Sequence, residues 1–83
     1  MQLVFDIETD GFLEDMTKCH VLVCQDVVTK KIYTFTDIQN GLDFMKNADA
    51  LIGHNIIGFD LMALEKLYGW KPSSKTALID TWV

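Results

Sequence analysis

Arginine is absent from this chain: all seven basic residues are lysine, set against twelve acids for a net charge of −5 at pH 7. Without a guanidinium there is no bidentate clamp for a phosphate. Without a basic stripe there is no broad surface to release counterions along a DNA duplex. The deficit does not exclude an enzyme that grips a few nucleotides through bound cations, because the metal then supplies positive charge where the protein supplies negative. Cysteine is scarce too. Cys19 and Cys24 lie in one apparent strand, and their odd spacing sends them to opposite faces, which speaks against a bridge between them. They read as buried thiols of a reducing compartment. No apolar run approaches the length of a membrane span. The short one at the N-terminus is interrupted by Asp6 and has no basic segment before it, unlike a secretory signal. The expected setting is a soluble, cytoplasmic protein. With 83 residues, 49% of them hydrophobic, the chain has apolar material for one small domain, or part of one.

No repeat, low-complexity segment or interdomain linker interrupts it. A first strand is predicted over Gln2 to Ile7, followed by the loop "TDGFLEDMTK", whose Asp10-Gly11 step is a turn signal. "CHVLVCQDVVT" and "KIYTF" are β-rich runs that pair as an antiparallel hairpin. A helix is expected over Ile38 to Asn47, capped by Asp37, with Leu42 and Met45 inward. The short apolar strand "ALIG" at Ala50 to Gly53 then runs parallel to a neighbour, since a crossover helix precedes it. The pattern of Phe59, Leu61, Met62, Leu64 and Tyr68 predicts a second helix over Gly58 to Tyr68, buried around most of its circumference and ended by Gly69 and the single proline, Pro72. Trp70 is placed at the core edge, and "TALIDTWV" reads as one more buried strand. The order β-β-β-α-β-α-β describes a mixed sheet with flanking helices.

Two clusters carry candidate chemistry. In "LVFDIETDGF" a strand places Asp6 and Glu8 on one face, about 7 Å apart, with Phe5 and Ile7 on the other. Like charges held there are relieved by solvent, a shared proton or a divalent cation. The plainer reading makes one acid an exposed strand end and the other a turn residue before Gly11. In "LIGHNIIGFDLMAL", His54 and Asn55 follow a strand and Asp60 opens a helix. A carboxylate there suits the helix dipole and can be a helix-start residue alone. The ends of strands in an α/β sheet are also where sites are built, and a strand paired beside the first brings Asp60 towards Asp6 and Glu8. Three acids together suit a hard cation, magnesium or manganese. The adjacent acids Glu14 and Asp15 read as an exposed turn, His20 as a strand histidine, Tyr68 as core, and the Lys71 to Lys75 stretch as a solvated loop.

"FDIETDG" resembles the first motif, and "HNIIGFD" the second, of the DEDD 3′-to-5′ exonucleases, whose fold is the ribonuclease H-like βββαβαβα arrangement. "LED-x-TK-x-H" and "IDT" look most like the proofreading exonuclease domain at the N-terminus of family A DNA polymerases from short-tailed bacteriophages. The resemblance implies a two-metal site with Mg2+ or Mn2+. In it Asp6 bridges the metals, Glu8 binds the one that holds the attacking water, and Asp60 serves the second. It further implies that Thr9 contacts the terminal nucleotide and that Asn55 orients the substrate strand. Phe12 is either a stacking face for a base or a core plug. His54 orients Asn55 across the loop, and Asp80 of "IDT" mainly supports local structure.

The family's third motif lies on a final helix, which carries a fourth aspartate and, four or five residues earlier, a tyrosine or histidine. No counterpart stands before Val83. The expectation is therefore an exonuclease-like domain, 1–83, that acts on single-stranded DNA 3′ ends once a polymerase, a second polypeptide or a second copy supplies that helix. The alternatives are a non-catalytic metal- or nucleic-acid-binding regulatory module, or a fragment of a phage DNA polymerase.

Overall fold

In the computed structural model, which describes residues 1–11, 17–53 and 59–81, the chain builds one mixed sheet. The strands are β1 (Gln2–Thr9), β2 (Cys19–Asp26), β3 (Ile32–Phe35), β4 (Ala50–Gly53) and β5 (Ala77–Asp80); α1 (Ile38–Met45) precedes β4 and α2 (Leu61–Tyr68) precedes β5. The spatial order is β3-β2-β1-β4-β5. The pairs β1–β2 and β2–β3 are antiparallel, whereas β1–β4 and β4–β5 are parallel. This is the predicted ribonuclease H-like mixed sheet, a meander extended by two helix crossovers, with β1 paired on both sides.

Local chemistry explains the elements. The hairpin between β2 and β3 is closed by the Asp26 carboxylate, which accepts from Val28 N at 2.8 Å and Thr29 N at 3.0 Å. Those bonds hold the carboxyl below its ordinary range, the Thr29 amide contributing most. Asp37 caps α1 as expected, accepting from Asn40 N at 3.4 Å. α2 ends on Gly69, whose φ of 64° is the left-handed conformation that glycine adopts without a Cβ penalty.

Leu3, Phe5 and Ile7 of β1 are buried with Leu22 and Cys24 of β2, Leu51 of β4, Ile38, Leu42 and Met45 of α1, and Ala63 and Leu64 of α2. Both helices therefore lie on one face of the sheet. On the other face, the register runs Ile32–Gln25–Val4–Ile52–Ile79 across all five strands. Val4 is 41% exposed, Ile32 61% and Ile79 46%, and no described helix covers them. Broken by Gln25, an apolar row of this kind left in water is still unusual for an isolated small domain.

Three expectations are corrected. β5 is not a buried strand: it lies at the edge of the sheet with Ala77, Leu78 and Ile79 exposed. Cys19 and Cys24 do not lie on opposite faces; both are buried in the one core. The cause is a bulge: Glu8 pairs with Val21 but Thr9 pairs with Cys19, so His20 is an extra residue in β2. That residue turns Cys19 to the inward side shared by Ile7 and Thr9. Nor is α2 buried around most of its circumference, since only Ala63 and Leu64 are buried and Met62 is 48% exposed. A helix lying on one sheet face buries one stripe. Trp70 is more than an edge cap, being buried within the core cluster. No helix among the described residues is long and apolar enough to cross a membrane.

Candidate functional site

The acid pair of β1 sits where strand alternation places it. Asp6 and Glu8 are exposed on the face opposite Phe5 and Ile7, on the same side as the apolar row. β1 is paired with β2 through Asp6 and Glu8, whereas its pairing with β4 ends at Val4, so the two carboxylates stand on a stretch of strand supported from the β2 side.

Past Glu8 the strand is tied down by its own loop. Thr9 Oγ1 donates to Gly11 O at 2.9 Å. Asp10 N donates to Lys18 O at 3.2 Å. The Asp10 carboxylate accepts from Thr17 Oγ1, from Thr17 N at 2.8 Å and from Lys18 N at 3.2 Å. These bonds, the Thr17 hydroxyl first among them, hold Asp10 far below the usual carboxylate range. Asp10 is thus a structural acid that closes the loop after β1. Thr9 is half-buried with its hydroxyl proton committed to Gly11, so it meets a ligand through its oxygen lone pairs or its backbone.

Asp60 differs from every other acid described. It is 5% exposed, the single buried charged or polar residue among those described. Its backbone is already helical (φ −61°, ψ −49°), and its side chain makes no capping hydrogen bond to α2. The helix-start reading therefore fails. Its carboxyl is buried rather than engaged with the helix end. Burial first, then the charges of Asp6 and Asp80, push its pKa up to about 7. The structure thus brings Asp60 beside Asp6, while Glu8 does not figure among the charges that act on it. Phe12 and Asn55, with His54, Glu14 and Asp15, lie outside the described residues.

Sequence reasoning missed two contributors. Asp80 pairs with Gly53 at the carboxyl end of β5, where its charge reaches Asp60. Its place at the end of a parallel strand was the available signal. Tyr68 is not simply core: its hydroxyl accepts from Cys19 N at 3.3 Å. No sequence pattern links a helix tyrosine to a strand bulge.

Among the described residues, no three His, Cys, Asp or Glu side chains gather closely enough to hold a metal ion. The chemistry of the donors nonetheless fits a hard cation, since Asp6, Glu8 and Asp60 offer only oxygen. A buried carboxylate is the kind of group whose charge a cation would offset. Cys19 does not join the set. Burial pushes its pKa up, and its thiol donates to Val21 O at 3.3 Å.

No family profile and no curated protein matches the chain in sequence. Among solved structures, a family B DNA polymerase from the hyperthermophilic archaeon Pyrobaculum calidifontis is similar to it, with a TM-score of 0.63 and 22% identity over 78% of this chain. The matched region is 10% of that polymerase chain. At that identity the likeness bears on the fold alone, and the small α/β chain with its five-stranded mixed sheet and two helices is consistent with a ribonuclease H-like arrangement.

Proposed function

We propose that this chain carries the sheet half of a 3′-to-5′ exonuclease-type site that hydrolyses single-stranded DNA 3′ ends in a proofreading-like reaction. The observation that carries the reading is Asp60, the single buried charged or polar residue among those described, with a carboxyl on which the charge of Asp6 acts. Asp6, Glu8 and Asp60 would hold Mg2+ or Mn2+. A bound pair of such cations supplies Lewis-acid stabilisation of the attacking and leaving oxygens of a phosphodiester.

The chain's own residues do the rest. The ladder to β2, which runs through Asp6 and Glu8, limits the reorganisation of both acids. A net charge of −5 without arginine repels a polyanion, so the chain holds DNA only where cations neutralise it. Thr9, Phe12 and Asn55 are the residues assigned to the terminal nucleotides. The uncovered row Ile32–Val4–Ile79 is the surface on which a polymerase, another polypeptide or a second copy would lay the helix of the third motif. Free thiols at Cys19 and Cys24 suit a cytoplasmic setting, that of the host if the gene is a bacteriophage's.

The second reading is a non-catalytic metal- or nucleic-acid-binding module that keeps the fold and does no chemistry. One experiment separates them. A 3′-labelled single-stranded oligonucleotide is incubated with Mn2+ and either the unmutated chain or the double variant Asp6→Ala, Glu8→Ala. The exonuclease reading expects label release to fall by at least about 100-fold in the variant, the loss expected when charge stabilisation of the reacting phosphate is removed. If the unmutated chain binds Mn2+ but releases no label, the non-catalytic module is the better description.

A further inference from the structure

The bulge between β1 and β2 falls at the residue pair that carries Glu8 and Thr9. A bulge leaves a backbone group outside the ladder, sharpens the local twist and re-aims the side chains beside it, and bulges concentrate near active sites for that reason. Next to the extra residue, His20, the Cys19 N–H donates to the Tyr68 hydroxyl, which lies outside the sheet, at 3.3 Å. Tyr68 is the last residue of α2, and Asp60 immediately precedes the first. The helix between them is a rod of about 12 Å at 1.5 Å per residue, anchored to the core by Ala63 and Leu64, both 0% exposed. One rigid element therefore holds Asp60 over the carboxyl ends of the strands with one end and grips the Glu8 bulge with the other.

We propose that Tyr68 is a positioning residue for the acid site: its hydroxyl pins the bulge and so sets the direction in which Glu8 is presented relative to Asp60. The role rests on the metal-dependent reading above and adds to it a residue that touches neither metal nor substrate. The ring and the hydroxyl are separable. The ring is 36% exposed, and the hydroxyl accepts from Cys19 N–H. Tyr68→Phe keeps the first and removes the second.

The test uses Mn2+ alone as probe, its affinity read from the free-ion electron paramagnetic resonance signal, and amide exchange at Cys19. Tyr68→Phe should speed Cys19 exchange about fivefold or more, the loss of one ordinary hydrogen bond. It should also weaken Mn2+ binding about tenfold, as removal of an orienting partner behind a ligand does. In a Glu8→Gln background the same substitution should leave Mn2+ affinity unchanged, because the side chain it aims no longer carries the charge. The control Tyr33→Phe, on a ring stacked 4.5 Å from Phe44 far along β3, should alter neither reading. Unchanged Mn2+ affinity in Tyr68→Phe, or an equal loss with and without Glu8, overturns the positioning role. If the unmutated chain binds no Mn2+ while Cys19 exchange still responds to Tyr68→Phe, it is the metal site itself that fails, and this role falls with it.

Discussion

Asp60→Asn is expected to raise the stability of the chain by about 3 to 4 kcal/mol at pH 8 and to change it little at pH 3. Asp60 is 5% exposed, and its pKa is pushed up to about 7, by burial first and by Asp6 and Asp80 after it. In the unfolded chain the same carboxyl titrates near its ordinary value, about 3.9. Below that value both states hold the proton and no penalty exists. Between about pH 4 and pH 7 the folded state binds more protons than the unfolded one, so stability falls as pH rises, and above about pH 7 the full cost of a buried carboxylate is present. The amide is nearly the same size and never ionises, so it escapes the cost. Chemical denaturation of both proteins at pH 3, 5 and 8 measures it. Equal stability gaps at all three values would show that Asp60 is not buried as a carboxyl at all.

The same titration speaks to function. A cation at Asp60 supplies the opposite charge that burial denies, so Mn2+ should raise the denaturation midpoint of the unmutated chain at pH 8 through preferential binding to the folded state. It should have a much smaller effect on Asp60→Asn. Acids that weaken a fold are rarely placed in a core without a use, and the metal response distinguishes a use from an accident.

How much of this was legible beforehand follows from what each signal depends on. Strand alternation depends on the chain alone, so Asp6 and Glu8 on one face, and Leu3, Phe5 and Ile7 on the other, are read directly from "LVFDIET". β4 is found at its expected bounds, Ala50–Gly53, because a short apolar run after a capped helix has few other uses. The cap at Asp37 is equally local. The bulge at His20 is different: it is a mismatch between two strands, visible only when both are aligned, and missing it put Cys19 on the wrong face. Asp60 followed the same logic. From its neighbours it resembles a helix cap; its burial and its want of a cap bond arise from how α2 lies over the strand ends. Asp80 and Tyr68 act across the fold, on Asp60 and on Cys19, and such pairings leave no trace in spacing.

A last expected result tests the packing that holds the site's sheet flat against its helices. Gly41→Val in α1 should destabilise the chain by about 3 kcal/mol, at the upper end of what overpacking a core costs. Gly41 is buried where α1 crosses β2 and β3. A Cβ at that position would stand 3.0 Å from Phe35 Cγ and closer still to Leu22 Cδ2. Leu22 is 0% exposed, so its methyl has no vacant space to turn into. The ring of Phe35 is held in turn by Phe44, 5.5 Å away between centroids. Glycine is therefore required here for close approach, in spite of the roughly 1 kcal/mol it costs a helix interior relative to alanine. For a domain of this size the loss corresponds to a fall in melting temperature of roughly 12 to 24 °C. Leu22→Ala alone should cost about 2 to 5 kcal/mol through the cavity it opens. Combined with Gly41→Val it should cost less than the sum by at least about 1 kcal/mol, because the added methyls enter the vacated space. Strict additivity in that double-mutant cycle would mean that α1 rides higher on the sheet than the contacts of Gly41 require.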